Sequence, residues 1–284
     1  MAWHPCMGVA VKGTYMNAKT VALSLAVGAL CVIGSAAAFA QALAASGPYH
    51  VLKTVKVGGE GGWDYLYADS ADRQFYVPRG NRIDVYDLDT LKQVGTIADT
   101  NRVHDAAVDP ATGNGFCSSS PVVEWNSKTL KTIKTIPVQG RPDGLLFDPA
   151  TERVFVLSHS QPNATVIDAK DGTVVGTIDL GGAPEQGASD GAGHLYFNIE
   201  DKDNVAVVDA KTLKVTGHYD LAGKGGGPAG FAMDVKNHIL FSFCHNPATC
   251  VILNADDGKI LATLPIGSGV DAGSFNPKTV GAFS

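Results

Sequence analysis

Acidic residues return at one place in this chain. Asp64, Asp105, Asp143, Glu185 and Asp271 follow one another at intervals of about 40 residues, and Ala229 stands where the series skips. Carboxylates converging on one surface create a strongly negative field, suited to a divalent cation or an amine. A second set holds His159, Glu200 and His245, while His104 sits directly before Asp105. Imidazoles beside carboxylates coordinate transition metals or pass protons. None of these histidines has an H-x-x-x-H spacing, so any such site must be assembled from distant segments. Plainer alternatives stand beside both sets. Carboxylates that cap backbone donors at repeat junctions would recur with the same period, and the histidines would then be a scattered polar face.

Two turn registers determine what positions these residues. Asp69, Asp109, Asp148, Asp190, Asp234 and Asn276 each precede an aromatic residue by seven positions: Tyr76, Phe116, Phe155, Phe197, Phe241 and Phe283. Asp87, Asn126, Asp168, Asp209 and Asn254 open a second set of turns, for which Asx side chains suit by bonding the backbone two residues on. Between turns lie β-branched and aromatic segments of strand length, without a sustained helical period. In the third unit the expected strands are Leu145 to Phe147, Val154 to Leu157, Thr165 to Ile167 and Thr173 to Ile178. Four short antiparallel strands per 42 or so residues mark a propeller blade, which must stack on others because a lone sheet cannot bury both faces. Complete units are expected over about 58–98, 99–138, 139–180, 181–221 and 222–266, with a sixth opening at Gly267. The acidic series then falls at the start of each innermost strand, on one mouth of a central channel, and the His-bearing loops open on the same side. The segment His50 to Val57 has the pattern of a blade's outermost strand.

Arg141-Pro142-Asp143-Gly144-Leu145, then Asp148-Pro149-Ala150-Thr151-Glu152-Arg153-Val154-Phe155-Val156, Val166-Ile167-Asp168 and Gly176-Thr177-Ile178 resemble the YVTN family of β-propeller repeats. YncE-like periplasmic proteins are the members most similar in pattern, and the resemblance spans residues 49–284. It implies an all-β propeller of four-stranded blades, seven in the intact ring. The chain given is accordingly read as C-terminally incomplete, with five complete blades and part of a sixth. The motifs shared with the family are structural and imply no particular activity.

Export is expected from the N-terminus. Lys19 precedes an apolar run from Val21 to Ile33 and a small-residue stretch ending Ala38-Phe39-Ala40, so residues 1–40 read as a signal peptide cleaved after Ala40, with Met16 as the true start. A lipid anchor at Cys31 is the competing reading, weakened by Leu30 where a small residue is required. Residues 41–48 form a short linker, and no membrane span remains after cleavage. The expected location is periplasmic or secreted.

The part after residue 40 carries 20 basic and 28 acidic side chains, a net charge near −8 without any basic run, which disfavours nucleic acid as a partner. In an oxidising compartment Cys244 and Cys250, flanking the loop His245 to Thr249, are expected to pair across a hairpin; two separate buried thiols are the alternative. Gly58 to Gly62 and Gly225 to Gly227 lack the lysine and helix of a phosphate loop and read as linkers. Trp63 and Trp125 read as packing or rim residues, and Cys117 lies inside a strand. No C-x-x-C-H haem motif or dedicated cofactor ligand is present, and a divalent cation is the one candidate cofactor. The expectation is therefore a non-catalytic scaffold that binds a small ligand or a periplasmic protein at the channel mouth. The alternative is a propeller enzyme or enzyme subunit, redox or lactonase-like, acting at that same face.

Overall fold

A computed structural model describes residues 49–284. The expected signal peptide and its start at Met16, Cys31 and the linker over 41–48 lie outside the described residues. The chain divides into a unit ending at Val57 and a unit from Gly58 to Ser284. In the first, residues 49–57 are solvent-exposed and belong to no sheet, so the strand expected over His50 to Val57 is not formed. An extended segment becomes a strand only when a neighbour takes up its backbone donors and acceptors.

The second unit is all-β and contains no α-helix among the described residues, only a 3-10 turn at Glu200–Lys202. The first sheet comprises β1 (Tyr67–Asp69), β2 (Gln74–Pro78), β3 (Ile83–Asp87) and β4 (Gln93–Ile97). The second comprises β5 (Ala106–Asp109), β6 (Asn114–Cys117), β7 (Val122–Asn126) and β8 (Thr132–Ile136). The third comprises β9 (Pro142–Asp148), β10 (Arg153–Ser158), β11 (Ala164–Asp168) and β12 (Val174–Ile178). The fourth comprises β13 (Pro184–Ser189), β14 (His194–Ile199), β15 (Asn204–Asp209) and β16 (Lys214–Asp220). The fifth comprises β17 (Pro228–Asp234), β18 (Ile239–Cys244), β19 (Thr249–Asn254) and β20 (Ile260–Pro265), and β21 (Ser274–Asn276) pairs with β22 (Gly281–Phe283). Every sheet is an antiparallel meander in chain order.

The turns obey the two registers. Asp69, Asp109, Asp148, Asp190, Asp234 and Asn276 accept backbone N–H groups two to four residues ahead, as do Asp87, Asn126, Asp168, Asp209 and Asn254. Alternation along the strands then sends side chains to both faces of each sheet. Phe155 and Leu157 pack toward the fourth sheet with Phe197 and Ile199, whereas Val154 and Val156 pack toward the second with Phe116. Five apolar clusters result, one at each junction between successive sheets. Trp125 is fully buried at the first junction, where its ring centroid lies 5.8 Å from that of Tyr76, while Trp63 is exposed.

The first strands of successive sheets lie side by side: β1 touches β5, β5 touches β9, and the series continues through β13 and β17 to β21. This order is consistent with a propeller-like stacking of sheets. A cavity of about 640 Å³ lies among these strands, lined by Tyr65, Tyr67, Leu145, Phe147, Gln186 and Val270 among others. At Gly144 the approach is so close that a Cβ would come within 2.5 Å of the Glu185 carbonyl oxygen, which explains glycine there.

The expected disulfide is not formed. Cys117, Cys244 and Cys250 are buried free thiols. Cys250 stands opposite Phe243 in the β18–β19 ladder, and Cys244 stands opposite Thr249. The two sulfurs therefore leave the sheet on opposite faces, Cys244 into the cluster shared with the fourth sheet and Cys250 into the cluster shared with β21. Side-chain alternation forbids the bridge that loop length alone suggested.

Candidate functional site

The starts of the inner strands and the ends of the second strands meet at one edge of the sheets. Asp64 precedes β1, His104 and Asp105 precede β5, and Asp271 precedes β21. Asp143 and Glu185 lie inside β9 and β13, which begin at Pro142 and Pro184, β9 three residues before the expected Leu145. Proline is tolerated at a first strand residue because no ladder bond is asked of its nitrogen. Both strands carry a register shift just there, between Pro142 and Leu145 and between Pro184 and Gly187. Such bulges re-aim side chains, here at the edge where the acids stand.

Four sheets contribute to one continuous network. His104 Nδ1 lies 2.6 Å from Asp64 Oδ2 and 3.2 Å from Asp143 Oδ1. His159 Nε2 lies 3.1 Å from Asp143 Oδ2 and 2.8 Å from Glu185 Oε1. The Tyr65 hydroxyl donates to Glu185 Oε2 at 2.7 Å, returning the chain of contacts to the residue beside Asp64. Asp143 is the centre, with one oxygen turned to each histidine.

Electrostatics bind the remaining candidates to this network. Burial raises the Asp271 pKa, and the nearby charges of Asp64, Glu185 and Asp143 raise it further. Burial also raises Glu200, with Glu185 as the next cause, while His159 and His245 oppose the shift. His104 is raised chiefly by its bond to Asp64. His159 is pushed up to about 10 by its bonds to Asp143 and Glu185. Tyr65 is held neutral by burial and by Glu185. At neutral pH His159 is consequently an imidazolium and Tyr65 a phenol that donates.

Asp105 occupies the repeat position of Asp143 and Glu185 but does a different job. Its buried carboxylate accepts the backbone N–H of Leu145 on β9 at 2.9 Å and that of Ala106 at 2.7 Å. It is a strap between the second and third sheets, and burial pushes its pKa up to about 8. Of the acidic series, Asp105 is thus the member that follows the capping alternative.

Two functional side chains escaped the sequence pattern. Tyr65 and Gln186 stand directly after Asp64 and Glu185, at a position held elsewhere by Ala106, Gly144, Gly230 and Ala272. Large polar residues at an otherwise small position were the available signal. Gln186 accepts the N–H groups of Phe231 at 2.8 Å and Gly273 at 2.7 Å and donates to the Gly273 carbonyl at 3.1 Å, fixing three inner strands together.

The other motifs are structural. Carbonyls of Gly58, Glu60 and Gly61 accept bonds from the Arg79 guanidinium, so this glycine stretch presents acceptors inward and not the amides an anion requires. Gly227 donates its N–H to Asp203. Gly187-Ala188-Ser189-Asp190-Gly191 has the spelling of a nucleophile elbow. It runs from a strand into an Asx turn with no helix behind it, and the Ser189 hydroxyl is committed to Asp148. Burial raises the thiols of Cys117 and Cys244 to about 11 and that of Cys250 to about 12, opposite to what a thiolate nucleophile needs.

No helix among the described residues is long and apolar enough to cross a membrane. No model of a known protein family matches the chain, and no curated protein matches it either.

Proposed function

We propose that this chain is an exported β-propeller of YVTN-like repeats that acts without catalysis, binding a small cationic ligand, a divalent metal ion in the first place, at the edge where its inner strands begin. A single observation carries the reading: Asp64, Asp143 and Glu185, from three sheets, converge on His104 and His159 through contacts of 2.6 to 3.2 Å. Glu200 and Asp271 add negative charge within electrostatic reach. Five carboxylates outnumber the three imidazoles, with Arg102 as a further cation acting on His104, and a bound metal relieves the repulsion among the acids. The meander sheets and their side-by-side inner strands support a propeller of up to seven blades, and the leader-like first 40 residues support a periplasmic or secreted location.

The test is expression of the full chain with its leader, recovery from the periplasm of a bacterial host, and calorimetric titration with Zn²⁺, Mn²⁺ and Mg²⁺. A mature mass beginning at Gln41 and saturable cation binding are expected. Cation binding that is absent, or unchanged when His104, Asp143 and His159 are replaced together, defeats the reading.

A further inference from the structure

We infer that the site is built for two metal ions bridged by Asp143, an inference that rests on the cation-binding reading above. Two triads share this residue: Asp64, His104 and Asp143 form one, and Asp143, His159 and Glu185 form the other. The ligating atoms of each triad lie within 4.8 Å of one another. Metal bonds of about 2.0–2.2 Å to nitrogen and oxygen hold neighbouring ligand atoms roughly 3 Å apart, so small side-chain shifts suffice to close either triad on an ion. The division of Asp143 is the decisive feature, because Oδ1 faces His104 and Oδ2 faces His159. One carboxylate with an oxygen in each triad is the geometry of a bridging ligand, and such pairs of ions stand about 3.5–4 Å apart.

Hydrogen bonding alone leaves this arrangement under-used. Each imidazole nitrogen in the network faces two carboxylate oxygens, and one N–H cannot point squarely at both. A metal ion at the same point displaces the imidazole proton to solvent and takes the nitrogen lone pair and both oxygens together. Tyr65 holds Glu185 by Oε2 and leaves Oε1 turned to His159, the outer-shell support that orients a metal-binding carboxylate. A cleft of about 130 Å³ beside His104, Asp143 and His159, lined also by Asn101, Arg102, Ser120 and Arg141, offers space for water ligands. One imidazole with carboxylates in each triad suits Zn²⁺, Mn²⁺ or Co²⁺ and disfavours Mg²⁺ and Ca²⁺, which take oxygen alone.

Native mass spectrometry and calorimetry of the full chain with Zn²⁺ test the pair. Wild type is expected to hold two ions, His104→Ala one, His159→Ala one, and Asp143→Asn none with comparable affinity. The Co²⁺-loaded wild type, which needs no substitution, is expected to show magnetic coupling between the ions in electron paramagnetic resonance. One Zn²⁺ per wild-type chain, or two uncoupled Co²⁺ ions, overturns the paired site while leaving cation binding intact. No binding of any cation overturns both readings together.

Discussion

Two regions of this molecule use the same pair of residue types to different effect. On the exposed turns of the fourth and fifth sheets, His194 Nδ1 lies 2.8 Å from Asp190 Oδ2, and His238 Nδ1 lies 2.8 Å from Asp256 Oδ1. Each of these imidazoles meets one carboxylate, and both are more than half exposed, at 57% and 58%. At the inner-strand edge each imidazole meets two carboxylates and is at most 31% exposed. The outer pairs come from turns of single sheets, the inner ones from residues brought together by stacking four sheets. Water and salt screen the outer pairs almost completely, whereas the inner network keeps its field because neighbouring sheets exclude solvent. Burial with convergence, and not the pairing of histidine with aspartate, separates a candidate binding centre from surface decoration.

The strongest way to break this comparison is by cation affinity. Replacing His104 and His159 together by alanine is expected to lower Zn²⁺ affinity at least a hundredfold, while the double variant His194→Ala/His238→Ala changes it less than twofold, read by calorimetry at fixed pH. Equal losses in the two variants would erase the distinction between the regions. Stability comes next. Asp105→Ala leaves the buried amides of Leu145 and Ala106 without their acceptor and is expected to cost about 3 kcal/mol in urea unfolding. Tyr65→Phe removes only the donor to Glu185 Oε2 and is expected to cost about 1 kcal/mol, with a loss of Zn²⁺ affinity of about tenfold. Alanine at His194 or Asp256 is expected to shift stability by less than about 0.5 kcal/mol.

A pH series sharpens the same contrast. His159 holds its proton more tightly folded than unfolded, so its stabilising contribution is complete below about pH 6.5 and is lost as pH rises toward 10. Asp105 also binds its proton more tightly in the folded chain, and the associated stability is lost from about pH 4 upward through about 8. Metal-free protein is therefore expected to unfold at progressively lower urea concentration from pH 5 to pH 10. Asp105→Asn should flatten the lower part of that slope and His159→Gln the upper part. A stability that climbs over this interval contradicts both assignments.

Much of the fold was legible because it is local. Asx turns at Asp148 and Asp168 bond amides two or three residues away, and Phe155 follows seven positions after the first turn whatever the rest of the chain does. The candidate site was legible only as a set of members. Asp64, His104, Asp143, His159 and Glu185 could be singled out, yet nothing in their spacing told that Asp143 would stand between both histidines. Asp105 misled because it shares the repeat position of Asp143 while its carboxylate turns to the Leu145 amide. The cysteine pair misled because a six-residue separation says nothing about the ladder register that places Cys244 and Cys250 on opposite faces.

The repeating unit follows from local chemistry: turn chemistry and two-residue alternation act over a few bonds, so strands, meanders and buried aromatics follow from neighbours in the chain. The meeting of units is a matter of how the sheets pack. The distance between His159 and Glu185 depends on how closely Gly144 lets β9 approach β13 and on where the register shifts, between Pro142 and Leu145 and between Pro184 and Gly187, turn these inner strands. Those quantities are set by packing between sheets, whose contacts join residues tens of positions apart, and no local pattern encodes them.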